Sequence, residues 1–124
     1  MMLLERYIAG WRAQDANAIL ATLTTDCVVI ESFGPVYRGH SWVEQWVFTW
    51  LAENGCVLDW TIRDLQSLGD LEIAEWTFRY TLRGEERTFD GATIAKLRDG
   101  KISYLREYAT TDPLYDWRGE WKSI

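Results

Sequence analysis

Leu3, Leu4, Tyr7, Ile8 and Trp11 recur at three- and four-residue steps, a period that predicts an amphipathic helix ending near Gln14. Asp15 is placed to cap a second, shorter helix through Ile19, Leu20 and Leu23. The apolar run Cys27 to Ile30 reads as a short strand, which the turn chemistry of Phe33-Gly34-Pro35 ends. Ser41 and Glu44 have the spacing of a capping box and open a third helix from Trp42 to about Glu53. Trp42, Trp46 and Trp50 fall at i, i+4 and i+8 along it, a stripe expected to be core or interface. After Asn54-Gly55, alternating apolar positions predict strands from Val57 to Leu68, Leu71 to Leu82, Arg87 to Arg98 and Lys101 to Ala109. Gly69-Asp70, Arg83-Gly84-Glu85-Glu86 and Asp99-Gly100 join them.

Helices first and a long antiparallel sheet after them is an α+β pattern, with the helices on one face of a curved sheet and a pocket between the layers. No repeat, linker or low-complexity segment interrupts it, so one domain over residues 1–124 is expected. Pro113 ends the last strand, and Trp117 and Trp121 in the tail are placed to cover the pocket mouth or a neighbouring subunit.

Composition narrows the function. The 124 residues, 48% hydrophobic and 26% charged, suffice to bury roughly two thirds of the unfolded surface without a disulfide. Cys27 and Cys56 form no CxxC and have no histidine at ligand spacing, so reduced, buried thiols are expected and zinc is not. Met1-Met2-Leu3-Leu4 runs straight into Glu5 and Arg6, neither a signal-peptide core nor a membrane span, which points to the cytoplasm. A net charge of -6 disfavours nucleic acid and anionic lipid, leaving an apolar small molecule or a second copy of the chain as partner. His40, the one histidine, precedes the third helix as an ordinary polar loop residue, and no phosphate loop, Ser/His/Asp pattern, cofactor motif or metal cluster is present.

The most informative stretch is Phe89 to Tyr108, a hairpin about Asp99-Gly100 that carries Glu107 into apolar surroundings. With Tyr7-Ile8-Ala9-Gly10-Trp11 and Val28-Val29-Ile30-Glu31-Ser32-Phe33-Gly34, it resembles the nuclear transport factor 2-like superfamily, especially its SnoaL-like polyketide cyclase and ketosteroid isomerase branches. The resemblance spans nearly the whole chain and implies a cone-shaped antiparallel sheet with three N-terminal helices on its concave face, a cystatin-like α+β roll. Tyr7 and Glu31 lie 31 − 7 = 24 positions apart and fall where the isomerases have an oxyanion-hole tyrosine and a carboxylate base. The isomerases' second donor falls on Thr93, a weaker acid than a carboxyl group. Arg106-Glu107-Tyr108 looks like the Arg-Asp-Tyr motif of limonene-epoxide hydrolases. Their arginine and aspartate partners fall on Trp76 and Phe78, so that triad is absent.

Strand alternation puts Ser103, Leu105, Glu107 and Ala109 on one face and Ile102, Tyr104, Arg106 and Tyr108 on the other, and the resemblance turns the first set inward. Trp76, Phe78 and Tyr80 likewise share a face and form an aromatic wall if they point into the cone. Trp11 and Trp60 add lining, and such a wall suits a flat, mostly apolar ligand. It also raises the pKa of an enclosed carboxylate, unless Glu107 pairs with Arg79 or Arg98. The resemblance thus implies a cofactor-independent enzyme that abstracts a proton next to a carbonyl, of isomerase or cyclase type, with Glu31 as base, Tyr7 as oxyanion donor and Glu107 as second acid or base. The alternative is a non-catalytic dimeric module that binds a small ligand or a partner. Under either, Ile94, Ile102, Tyr104 and Tyr108 make the outer sheet face apolar enough to expect a homodimer through it.

Overall fold

Three helices and six strands form along the described part of the chain, residues 1–122 of the computed structural model. They run α1 (Leu3–Arg12), α2 (Ala16–Ala21), β1 (Leu23–Ile30), β2 (Val36–Arg38), α3 (His40–Ala52), β3 (Cys56–Leu68), β4 (Leu71–Leu82), β5 (Glu85–Arg98) and β6 (Lys101–Ala109). The strands make one curved sheet in the order β2-β1-β6-β5-β4-β3, antiparallel throughout except where β1 lies parallel to β6. The helices pack on its inner face as an α+β roll, and one apolar cluster joins helices and sheet.

The helical period of α1 buries Leu4, Tyr7, Ile8 and Trp11. Its first turn is capped twice by carboxylates: the Met2 N–H donates to Glu5 at 2.8 Å, and the Leu4 N–H donates to the buried Glu72 of β4 at 2.9 Å. Negative charge at that end also suits the helix dipole. Asp15 caps α2 by accepting from the Ala18 N–H at 3.1 Å, as its sequence position predicts. The helix stops at Ala21, short of the expected Leu23, because Thr22 turns the chain. Its hydroxyl donates to the Ile19 carbonyl at 2.7 Å, and its own carbonyl accepts from the Ile102 N–H at 2.8 Å. Leu23 therefore begins β1, four residues earlier than the predicted strand at Cys27.

Phe33-Gly34-Pro35 follows the end of β1 at Ile30, as expected, and then turns the chain back into β2, where Val36, Tyr37 and Arg38 pair with Ile30, Val29 and Val28. The expected capping box of Ser41 and Glu44 does not form. The helix starts at His40 after Gly39, whose φ of 84° lies in the left-handed region, and His40 Nε2 hydrogen-bonds the Leu23 carbonyl at 2.8 Å. The tryptophan stripe splits: Trp42 is exposed, while Trp46 and Trp50 turn toward the sheet. Cys27 is buried as expected and Cys56 is exposed, because it opens the edge strand.

Arg83-Gly84 and Asp99-Gly100 are two-residue turns with positive φ at both positions, the twist that long hairpins require. Along β4, Glu72, Ala74, Trp76 and Tyr80 are buried while Glu75 and Arg79 face out. In β6 one expectation fails. Lys96 pairs with Tyr104 and Leu97 with Ile102, so Ser103 is an extra residue, and its hydroxyl donates to the Lys96 carbonyl at 3.2 Å. That bulge resets the alternation, placing Ile102 in the core instead of on the outer face while leaving Leu105 and Glu107 inward.

Gly91 sets the sheet's inner contour. A Cβ there would stand 2.5 Å from the Trp76 ring and 2.5 Å from the Tyr108 carbonyl oxygen, so the indole lies flat over a position with no side chain. Gly91→Ala should therefore lower unfolding free energy by about 1–3 kcal/mol. A urea titration checks this, with the midpoint expected to fall at unchanged slope.

Candidate functional site

Between the helices and the inner sheet face lies a cavity of about 490 Å³. Trp76, Phe78 and Tyr80 of β4 form one wall, joined by Phe89 of β5 and Trp60 of β3. Trp11 of α1 with Trp46 and Trp50 of α3 forms the other. The rings brace each other: Phe78 stacks on Tyr80 with centroids 4.8 Å apart, Trp60 meets Trp76 edge-on at 5.4 Å, and Trp11 meets Trp46 at 4.7 Å. Trp76 is fixed further by its indole N–H, which donates to the buried Thr93 hydroxyl at 2.8 Å.

Two carboxyl groups face this space. The parallel register of β1 on β6 pairs Ile30 with Arg106, so the next residues, Glu31 and Glu107, come side by side. Backbone bonds lock Glu31 in the β1–β2 turn: its N–H donates to the Pro35 carbonyl at 2.9 Å and its carbonyl accepts from the Gly34 N–H at 3.0 Å. Its Oε1 accepts the Tyr37 hydroxyl at 2.8 Å, and the Tyr37 ring stacks on Trp46 at 4.2 Å. Glu107 sits mid-sheet, opposite Thr93, and is 8% exposed. Among the described residues its carboxyl has neither a hydrogen-bond nor an ion-pair partner. The cations that could have neutralised it are engaged elsewhere: Arg79 pairs with Glu86 at 3.3 Å and Arg98 with Asp26.

Environment separates the two acids. Burial raises the Glu107 pKa to about 8, and the Glu31 charge adds to the effect. Burial also raises Glu31, but the Tyr37 hydrogen bond stabilises its ionised form and works the other way. Tyr37 in turn is pushed up by burial and by the Glu31 charge.

Of the residues singled out from the sequence, Glu31, Glu107, Trp11, Trp60, Trp76, Phe78 and Tyr80 line the cavity. Three do not. Tyr7 is sealed in the core, its hydroxyl without a hydrogen-bond partner and its pKa raised by burial and then by the Glu107 charge. Thr93 spends its hydroxyl on Trp76, and Leu105 is fully buried beneath the floor. Phe89 was legible from β5 alternation, since it shares a face with Gly91 and Thr93. Tyr37 was not, because a three-residue strand carries too little periodicity to recognise. Among the described residues no cluster of three His, Cys, Asp or Glu side chains is arranged to hold a metal, and no helix is long and apolar enough to cross a membrane.

Residues 4–105 match the family described as the SnoaL-like domain. Solved structures share the fold. A Catenulispora acidiphila protein with a ketosteroid isomerase-like fold, solved with trimethylamine, superposes at TM-score 0.74 with 21% identity over 86% of this chain and 83% of its own. An M. tuberculosis protein described as an LEH-like epoxide hydrolase gives 0.77 with 17% identity, over 87% and 80%. TerC, co-crystallised with polyporic acid, gives 0.73 with 20% identity, over 87% and 88%. No curated protein matches the chain in sequence.

The raised Glu107 pKa has a sign that stability measurements can read. A carboxyl that titrates near 8 when folded but near 4.5 when unfolded keeps its proton in the folded state, so it lowers stability as pH rises from 4.5 toward 8. Glu107→Gln should leave the melting temperature nearly unchanged at pH 4 and raise it at pH 8. Calorimetry across that range checks it, and a parallel offset at all pH values contradicts the assignment.

Proposed function

We propose that this chain, which belongs to the SnoaL-like domain family, is a cofactor-independent enzyme that moves a proton next to a carbonyl of a flat, mostly apolar compound, in an isomerisation or cyclisation. The observation that carries this reading is the pair of adjacent carboxyl groups in one aromatic cavity, one held by a phenol and the other buried without a counter-charge. Environments that drive two acids apart in pKa assign them opposite roles. With a pKa of about 8, roughly nine in ten Glu107 groups are protonated at pH 7. Glu107 is thus the donor, and Glu31 the base.

In the proposed step the Glu31 carboxylate takes the proton from the carbon beside the carbonyl through Oε2, the oxygen that Tyr37 leaves free. The electron pair moves onto the carbonyl oxygen, and the Glu107 O–H stabilises the charge that develops there. Returning the proton to a different carbon gives isomerisation; attack of the enolate carbon on a second carbonyl of the same molecule, whose oxygen then takes the proton held by Glu31, gives cyclisation. Tyr7, the donor expected from the sequence, has a lesser part in this scheme, lying behind the floor and supporting it. The aromatic walls favour a planar ligand.

Two further expectations belong to this proposal. Ile73 and Tyr108 are 37% and 44% exposed on the outer sheet face, which supports a homodimer through it. The unpaired thiols of Cys27 and Cys56 support a reducing, cytoplasmic setting.

The base is tested by hydrogen–deuterium exchange of 2-tetralone in D₂O, followed by NMR. Glu31→Gln should slow enzyme-catalysed exchange by about 10²–10⁴. The wild-type rate should fall at low pH as Glu31 protonates and again above about 8 as Glu107 ionises. Unchanged exchange in the variant would remove Glu31 from the reaction. For the dimer, sedimentation velocity at micromolar concentration should give twice the chain mass, and a lone monomer peak contradicts it.

A further inference from the structure

The cavity has two chemically different ends. Trp11, Trp60 and Glu107 close the inner one and are 4%, 5% and 8% exposed. The outer one opens at the β4–β5 hairpin, where Arg87 stands directly opposite Tyr80 and both line the space. The Tyr80 hydroxyl has no hydrogen-bond partner among the described residues, and the Arg87 charge acts on it. Arg83, the other guanidinium at the rim, is engaged by Glu53 at 2.8 Å across the mouth. Arg87 meets only Glu85, two residues away on its own strand, at 2.8 Å with side chains 64% and 69% exposed. An exposed pair of that kind holds weakly and gives way to a bound anion.

We propose that Arg87 and Tyr80 hold a carboxylate of the substrate, which makes the substrate class a polycyclic aromatic carbonyl compound with a carboxylate at the end remote from the reacting carbonyl. This inference rests on the reading of the cavity as a proton-transfer site. Charge fixes the orientation. The Glu31 carboxylate repels an anion beside the reacting acids, and a chain of net charge -6 offers an anion little general attraction, so recognition must be local to a guanidinium. Spacing fixes the size. Arg87 is six positions along β5 from Thr93, the residue opposite Glu107, or roughly 20 Å of extended strand before the side chains lean inward. Between them the sheet wall presents the rings of Phe78, Trp76 and Phe89, with Trp60 beside them, a surface for fused rings more than for a single-ring acid.

Quenching of the cavity tryptophans by anthraquinone-2-carboxylate, compared with its methyl ester and with benzoate, tests the inference. At low salt the wild type should bind the anthraquinone acid roughly fivefold tighter than the ester and far tighter than benzoate, and added salt should remove the preference. Arg87→Gln should bring the acid down to the ester's affinity while leaving the ester unchanged, and Tyr80→Phe should do so in part. Equal affinities in the wild type, or a preference that survives Arg87→Gln, overturns the clamp. Glu31→Gln should retain the acid preference whatever its exchange rate, so loss of exchange and loss of the preference report on different ends of the cavity.

Discussion

Taking a carboxyl group out of water without giving it a cation is costly, and the rest of this site follows from that one circumstance. Glu107 occupies the middle of the sheet, where β5, β4 and β3 lie on one side of its strand and β1 and β2 on the other, so it is shut off from both sheet edges. Its neighbours there are indole and phenyl rings and one further acid. The group responds by keeping its proton. The two acids differ because burial is deeper at Glu107, where the Glu31 charge adds to it, while at Glu31 the hydrogen bond from Tyr37 works against the rise. The separation of the two acids is therefore a property of the enclosure more than of either residue.

The enclosure depends on small contacts placed behind the rings. Trp76 can lie against the sheet because Gly91 has no side chain, and it stays in one rotamer because Thr93 accepts its N–H. Trp50 has a parallel arrangement over Gly55, where a Cβ would meet the indole at 2.4 Å, so the wall contributed by α3 also rests on a glycine. Glu72 ties the first turn of α1 to β4, and Glu53 with Arg83 ties the end of α3 to the hairpin at the mouth. Helices and sheet are thus held apart by aromatic bulk and together by a few polar links. A cavity of about 490 Å³ inside so small a chain forgoes packing that a filled core would provide. Stability given up at a site for the sake of function is the usual trade.

Much of this was legible in order of residues alone. The period of α1, the Asp15 cap, the two-residue Asp99-Gly100 turn and the shared face of Trp76, Phe78 and Tyr80 all follow from local rules that need no partner. So did the placement of Glu107 in apolar surroundings. What failed, failed where a distant contact overrides a local preference. Thr22 ended α2 because β6 offered its N–H to the carbonyl, and Ser103 shifted the alternation of β6 because β5 ran one residue short beside it. Tyr37 gained its place only through a three-residue strand that exists because β1 is there to pair with it.

The sequence by itself determined the α+β pattern of elements and that Trp76, Phe78 and Tyr80 share a face, since periodicity and turn chemistry act between residues close along the chain; the interest of Glu31 and Glu107 came from the family resemblance. Tertiary structure alone decided that Glu31 and Glu107 stand side by side, that Tyr37 and not Tyr7 serves the pair, and that no arginine neutralises it. Those outcomes depend on the parallel register of two strands some seventy residues apart in the chain and on how far water is excluded between them. Neither quantity is written in any local stretch.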